Sequence, residues 1–353
     1  MRRSALVLTI LAALVALPWT SALAFHDFGV ARCNGCHTMH NSENGALVDA
    51  DAPDGNPYLL KDATATDLCL SCHATSRGAV WTGTPMTPSL RPGGDFSFLA
   101  EDNLNDGRNG NLPAYFIPGA YGGHNVIAPS KNSGADPVLT HSPGGNYPSS
   151  AMSCTSCHDP HGNEHFRLLY GTGHVEAGNA TFLNPAPVAV SQSYNTNEAN
   201  NAHTAYNSGM SAWCANCHGQ YHDNSTQLIH PSGEAMGGSI AAIYNQYNGT
   251  GDQNGGNAAT SYLALVPFED PANTTTSTTG PTASSQVSCI TCHRVHASSA
   301  PNIGRWDFNL TLWEEEGVLS GSYAIVNPYN DPSQRDLCNK CHNKDAGDEW
   351  PVP

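Results

Sequence analysis

Cys154-Thr155-Ser156-Cys157-His158-Asp159-Pro160-His161 sets two thiols three positions apart, an imidazole directly behind them, and a second imidazole three residues further on. Thiols at that spacing share one turn, so each can form a thioether with one vinyl group of a single porphyrin. The histidine that follows is then carried over the iron as its proximal ligand. Five more pentads repeat the pattern: Cys33-Asn-Gly-Cys36-His37, Cys69-Leu-Ser-Cys72-His73, Cys214-Ala-Asn-Cys217-His218, Cys289-Ile-Thr-Cys292-His293 and Cys338-Asn-Lys-Cys341-His342. All 12 cysteines of the chain fall in these pentads. The sequence therefore predicts six covalently attached haems c.

Two other readings of paired cysteines fit less well. Zinc ribbons and fingers bring their two halves within some twenty residues, whereas successive pairs here lie 36 to 85 apart. Zinc also has no need of a histidine directly after every second cysteine. With 17 histidines in 353 residues, six out of six by chance would arise on the order of once in ten million or more chains. A disulfide scaffold suits an exported chain, but such scaffolds are not built from six tight Cys-x-x-Cys loops.

Export is written at the start. Met1-Arg2-Arg3 is a short basic stretch, Ala5 to Ala16 is apolar, and Ala22-Leu23-Ala24 has the small-x-small form of a cleavage site. Residues 1–24 are read as a signal peptide and 25–353 as a single hexahaem domain. The apolar stretch is short for a membrane span, and no later segment is apolar enough to be one. Loss of Arg2 and Arg3 takes the formal charge from −16 to −18. Nucleic-acid binding needs a basic face, and none is visible. Basic redox partners and metal cations are the electrostatically sensible visitors.

The expected fold is mostly coil with short helices and very little sheet, organised around the haems. At about 55 residues per haem, porphyrins supply much of the core. Gly and Pro contribute 34 and 24 residues, which is loop-rich but below the level of disorder. Helix patterning is clearest over Gly238–Tyr247 and Ser261–Phe268, and each pentad should sit on a turn or short helix. Asn245–Asn257 and Ala272–Gln286 read as surface loops.

Eleven histidines remain for distal ligation. His40, His161 and His296 lie three residues after a proximal histidine, and His222 lies four after. That offset stops both imidazoles from gripping one iron and lets the second cap a neighbouring haem. His230 precedes Pro231, and His124 follows Gly122-Gly123, where backbone can approach a flat cofactor. These six are the candidate caps; His141, His165, His174 and His203 are read as ordinary surface or core residues. Two imidazoles leave no open iron position, so outer-sphere electron transfer is favoured over bond-making chemistry.

Several segments around the pentads also resemble the OmcS-type hexahaem cytochromes. They include Phe25-His26, Thr38-Met39-His40-Asn41-Ser42, Gly123-His124-Asn125, His158-Asp159-Pro160-His161-Gly162, Trp213-Cys214-Ala215-Asn216-Cys217-His218, His230-Pro231 and Arg294-x-His296-Ala297-Ser298. The resemblance spans nearly the whole mature chain and adds His26, making seven matching histidines for six distal places. It implies closely stacked bis-histidine haems running through an extracellular filament of identical subunits, with His40 capping the His293 haem of a neighbour. It also implies other multihaem cytochromes as donors and metal oxides as external acceptors. The segment Cys69–Arg77 departs from the family pattern. A non-polymerising electron shuttle in the periplasm or medium is the alternative. A multihaem reductase is a third reading, but it needs an open iron, and all six pentads end in histidine.

Overall fold

The pentads with their flanking residues dominate the regular structure of the chain, whose structure is a computed structural model. It describes residues 26, 33–74, 80–82, 91–101, 103–104, 116–175, 180–192, 197–222, 230, 232–248, 255–309, 312 and 335–342. The signal peptide expected over 1–24 lies outside these residues. Five short helices occur among them: α1 (Ala65–His73), α2 (Met210–Cys214), α3 (Gly237–Gln246), α4 (Cys289–Cys292) and α5 (Asn339–His342). Sheet is confined there to four antiparallel two-stranded ribbons, such as Val188–Val190 with Ala205–Ser208. The fold is mostly coil, as the sequence predicts.

Local chemistry explains where the chain turns. Thr64 caps α1 by accepting from the Asp67 N–H at 3.0 Å, satisfying a donor that the first turn leaves open. The Cys154–Ser156 turn and α4 begin alike: the Ser153 N–H donates to Ser156 Oγ and the Ser288 N–H to Thr291 Oγ1, at 3.0 and 3.1 Å. A third turn, Cys33–Gly35, carries the first pentad. Every pentad thus lies on a turn or a helix end, the geometry that two thiols on one porphyrin require.

Of the two expected helices, α3 forms within a residue of its predicted bounds and buries Ala241 and Tyr244. Ser261–Phe268 is not helical. Pro267 disfavours the helical region for the residue before it, and the segment spends its N–H groups elsewhere. Tyr262 donates to the Thr278 carbonyl, Leu263 to the Tyr244 hydroxyl and Ala264 to Asn200 Oδ1. Its partner, the 272–286 run, is a loop that is pinned down rather than loose. Its Thr275 carbonyl takes the His203 N–H at 2.9 Å, and Ser285 is fully buried. Of the 245–257 stretch, Asn245 and Gln246 close α3, and residues 249–254 lie outside the described part.

One loop recurs behind the first, third and fifth pentads. Pro57–Leu59, Phe166–Leu168 and Pro301–Ile303 each contain two consecutive residues at positive φ. They are Tyr58 and Leu59 (57° and 60°), Arg167 and Leu168 (53° and 57°), and Asn302 and Ile303 (57° and 58°). Left-handed backbone costs an L residue roughly 1–2 kcal/mol, so these pairs persist because something holds them. The N–H groups of Lys61, Tyr170 and Arg305 donate to the carbonyls of Cys36, Cys157 and Cys292, at 2.9, 3.0 and 2.7 Å. In return, Leu59, Leu168 and Ile303 accept from the N–H groups of Thr38, Asp159 and Arg294, each at 2.8 Å. The chain is therefore three repeats, each an odd pentad, its left-handed loop and an even pentad.

The largest apolar cluster surrounds the last repeat. Phe98, Tyr244, Tyr262, Phe268, Trp306 and Leu337 gather there, with Cys292, Cys338 and Cys341 packed against them. Arg305 is buried among them, its Nε donating to the Ile290 carbonyl at 2.6 Å and Nη1 to the Ala264 carbonyl at 3.3 Å.

Candidate functional site

A single continuous cavity of about 3630 Å³ runs through the protein, lined by all 12 cysteines and all six proximal histidines. Small-molecule pockets occupy roughly 300–1,000 Å³, so the channel has room for several large flat ligands. The 12 thiols are free rather than joined in disulfides, as anchors for thioethers must be. Burial pushes Cys157 and Cys292 up to about 12, and Cys217 and Cys341 to about 11. That marks an apolar channel wall.

Imidazoles face one another across the channel in five pairs. Ring centres are separated by 6.3 Å for His26 and His73, and by 6.4 Å for His37 and His161. The separation is 6.0 Å for His124 and His218, 6.4 Å for His158 and His296, and 6.0 Å for His230 and His342. A metal between two imidazoles needs about 2.0 Å to each nitrogen and roughly 1.1 Å more to each ring centre, about 6.2 Å in all. All five pairs fit one iron.

Ring orientation is fixed from behind. His37 Nδ1 bonds the Tyr58 carbonyl at 2.9 Å, His158 Nδ1 that of Arg167 at 2.8 Å, and His293 Nδ1 that of Asn302 at 2.9 Å. All three carbonyls belong to the left-handed loops, which explains what the strained backbone is for. His218 Nδ1 meets the Pro143 carbonyl at 2.8 Å, and His124 Nδ1 meets that of Val295 at 2.9 Å. A proton held on Nδ1 leaves Nε2 bare for a metal. Burial, reinforced by His218, pulls His124 down to about 4. Burial, reinforced by His158, pulls His296 down to about 3. Neutral imidazole is the ligating form.

The pairs follow the repeat. His161, three residues after the third proximal histidine, faces the first. His296, three after the fifth, faces the third. The even pentads are met by histidines preceding the odd pentad of their own repeat: His26, His124 and His230. Between repeats the anchors lie close together, Cys69 beside Cys154 and Cys214 beside Cys289. The Cys154 N–H donates to Thr66 Oγ1 and the Cys289 N–H to Ser211 Oγ, at 3.4 and 3.1 Å.

The remaining candidates stand apart. His293 has Phe308 as its ring neighbour at 5.4 Å, and among the described residues no imidazole faces it at the spacing of the pairs. His40 is exposed, at a backbone φ of 148°. His222 ends the turn Gly219–His222, and its side chain lies outside the described part. His203 is buried, stacks on Tyr262 at 3.8 Å and has both ring nitrogens on backbone carbonyls, of Thr204 and Ser277. That is a structural histidine. The threefold loop escaped sequence reasoning because its copies share only scattered residues, such as Pro57 with Pro301 and Leu59 with Leu168, while its first left-handed position is Tyr, Arg or Asn.

Six paired-thiol anchors along one channel, with imidazoles opposed across it, define a multihaem c-type cytochrome. A family model described as a doubled CXXCH motif matches residues 26–78 and 147–181. The C-type cytochrome OmcS of Geobacter sulfurreducens is 34% identical over 432 residues, covering 96% of this chain and 98% of that one. The chain belongs to the OmcS-type cytochromes. Its structure is similar to the Outer Membrane Cytochrome S filament from Geobacter sulfurreducens, with a TM-score of 0.77 and 32% identity over 91% of this chain and 100% of that one. OmcS nanowires from the same organism, solved by cryo-EM, give a TM-score of 0.73 and 30% identity with the same coverage. The chain thus carries six haems c and is an electron-transfer protein rather than an enzyme. Among the described residues no helix is long and apolar enough to cross a membrane.

Proposed function

We propose that this chain is the subunit of an extracellular filament whose six bis-histidine haems form one row, carrying respiratory electrons to external acceptors such as metal oxides. The pentad cysteines anchor the haems; His37, His73, His158, His218, His293 and His342 are proximal. The distal caps are His161, His26, His296, His124, His40 of the next copy, and His230, in that order, and His222 is the spare. Haem supplies one-electron redox chemistry. The protein residues line the channel that holds the row, and burial keeps the His124 and His296 rings neutral.

The observation that carries this reading is His293. It is the proximal imidazole with no facing imidazole among the described residues, while exposed His40 occupies the first copy of a position whose other copies, His161 and His296, each face the odd pentad one repeat earlier. Continued by one step, that progression takes His40 off its own chain and onto the His293 iron of a second copy. Similarity to filaments that were solved as such supports the same conclusion.

Electron microscopy of the secreted wild-type protein and of His40→Ala tests it. Filaments from the wild type and dispersed, haem-replete subunits from the variant are expected. Filaments of unchanged length from His40→Ala would refute it.

A further inference from the structure

The seam between copies involves more than one ligand. Inside the chain, the segment that faces the fourth pentad is bonded to the fifth pentad, in the following repeat. The His124 N–H donates to the His296 carbonyl at 2.9 Å, and His124 Nδ1 bonds the Val295 carbonyl at 2.9 Å. Gly123 and Ala297 form an antiparallel bridge beside them. Val295 and His296 are the second and third residues after proximal His293. One stretch of backbone therefore supplies His296 to the His158 iron and, through the Val295 carbonyl, orients His124 at the His218 iron of that same repeat.

In the last repeat the residue equivalent to His124 is His230, which faces His342 at 6.0 Å. Among the described residues of its own chain, none accepts a bond from its ring. The following odd pentad is the first pentad of the next copy, where Met39 and His40 correspond to Val295 and His296. Met39 is 73% exposed, whereas Val295 packs against the buried cluster of Tyr206, Met210 and Ile290. Both halves of the junction are thus present, at opposite ends of the repeat series.

We infer that Met39 is a positioning residue acting across the seam, its carbonyl accepting the Nδ1 proton of His230 of the neighbouring copy. This rests on the proposed filament and extends it: the incoming subunit completes the ligation at His293 through His40 and sets the ring orientation and basicity of His230 at His342. Assembly then alters two haem sites, one by a new bond to iron and the other through the hydrogen bond behind an existing ligand.

The test is a cryo-EM map of the assembled protein, joined to electron paramagnetic resonance of filaments and of His40→Ala subunits. The map is expected to put Met39 O within about 2.7–3.2 Å of the neighbour's His230 Nδ1. Dissociation is expected to turn one signal high-spin and to shift the g values of a second that stays low-spin. If His40 sits on the neighbour's iron but His230 Nδ1 has another acceptor and only one signal changes, this inference is overturned and the filament reading stands. If His40 reaches no neighbouring iron, both fail.

Discussion

His161 stands three residues after one proximal histidine, yet its ring faces His37, of the pentad two places earlier, at 6.4 Å and 12° from parallel. With His161 as the proposed cap of the His37 iron, a ligand supplied to one site by the anchor of another would make the haem row and the fold one object, and neither repeat could shift without pulling that ligand away.

His161→Ala should therefore open one iron of six. A high-spin signal near a sixth of total haem is expected, with all thioethers kept, and low-temperature spin quantitation would read it. Retention of six low-spin haems would contradict the pairing.

His26 and His222 separate cleanly. His26→Ala is expected to uncover the His73 iron, so that added cyanide or carbon monoxide binds one haem per subunit. His222→Ala should bind none beyond the wild type. The reverse result would exchange their roles.

Gly123 sits where the cap strand crosses the fifth pentad. A Cβ there would lie 2.5 Å from Ala297 Cβ and 2.6 Å from the His296 carbonyl oxygen. Gly123→Ala should destabilise by about 1–3 kcal/mol, the usual cost of overpacking. Calorimetry would show a lowered melting temperature; an unchanged one would mean the two strands do not touch.

Arg305 holds two carbonyls in the core and lies near buried Glu198, whose carboxyl burial pushes up while Arg305 pulls it down. Arg305→Met leaves the Ile290 and Ala264 carbonyls without their donor, while Glu198 keeps the Thr204 N–H and the nearby Arg294. A loss on the order of 1–3 kcal/mol in denaturant unfolding is expected.

Acid should reach His124 and His296 late. His124 is held at about 4 and His296 at about 3, against an ordinary 6.5, mainly by burial. A depressed histidine favours the folded state fully above 6.5, where both states are neutral. That advantage is lost as pH falls from 6.5 through the folded values, because the unfolded chain takes up the proton first. A visible-spectrum titration should keep the two haems facing His124 and His296 low-spin above pH 6.5 and lose them only well below it; loss of these two beginning near pH 8 would contradict neutral, buried rings at His124 and His296.

Much of this was legible in the residues. The pentads declare the haems because thioether spacing and a following imidazole leave little else to explain, and the offset at His40, His161 and His296 forbids self-capping. The left-handed pairs were not legible, since Tyr58, Arg167 and Asn302 open one backbone shape with unrelated side chains, and the aliphatic Leu59, Leu168 and Ile303 that follow are residues not expected at positive φ. Ser261–Phe268 misled because its apolar residues, Tyr262, Val266 and Phe268, are buried by an irregular segment whose N–H groups bond other loops. The role of His26 rests on long-range proximity that no local pattern encodes.

Spin-state counting on fully matured protein, first as filaments and then as separated subunits, asks most directly whether a row of imidazole-paired haems closes only between copies. Six low-spin haems per chain in the filament, and five low-spin with one high-spin after separation, is the predicted result. Six low-spin haems in an isolated subunit, or fewer than six haems by mass, would contradict it.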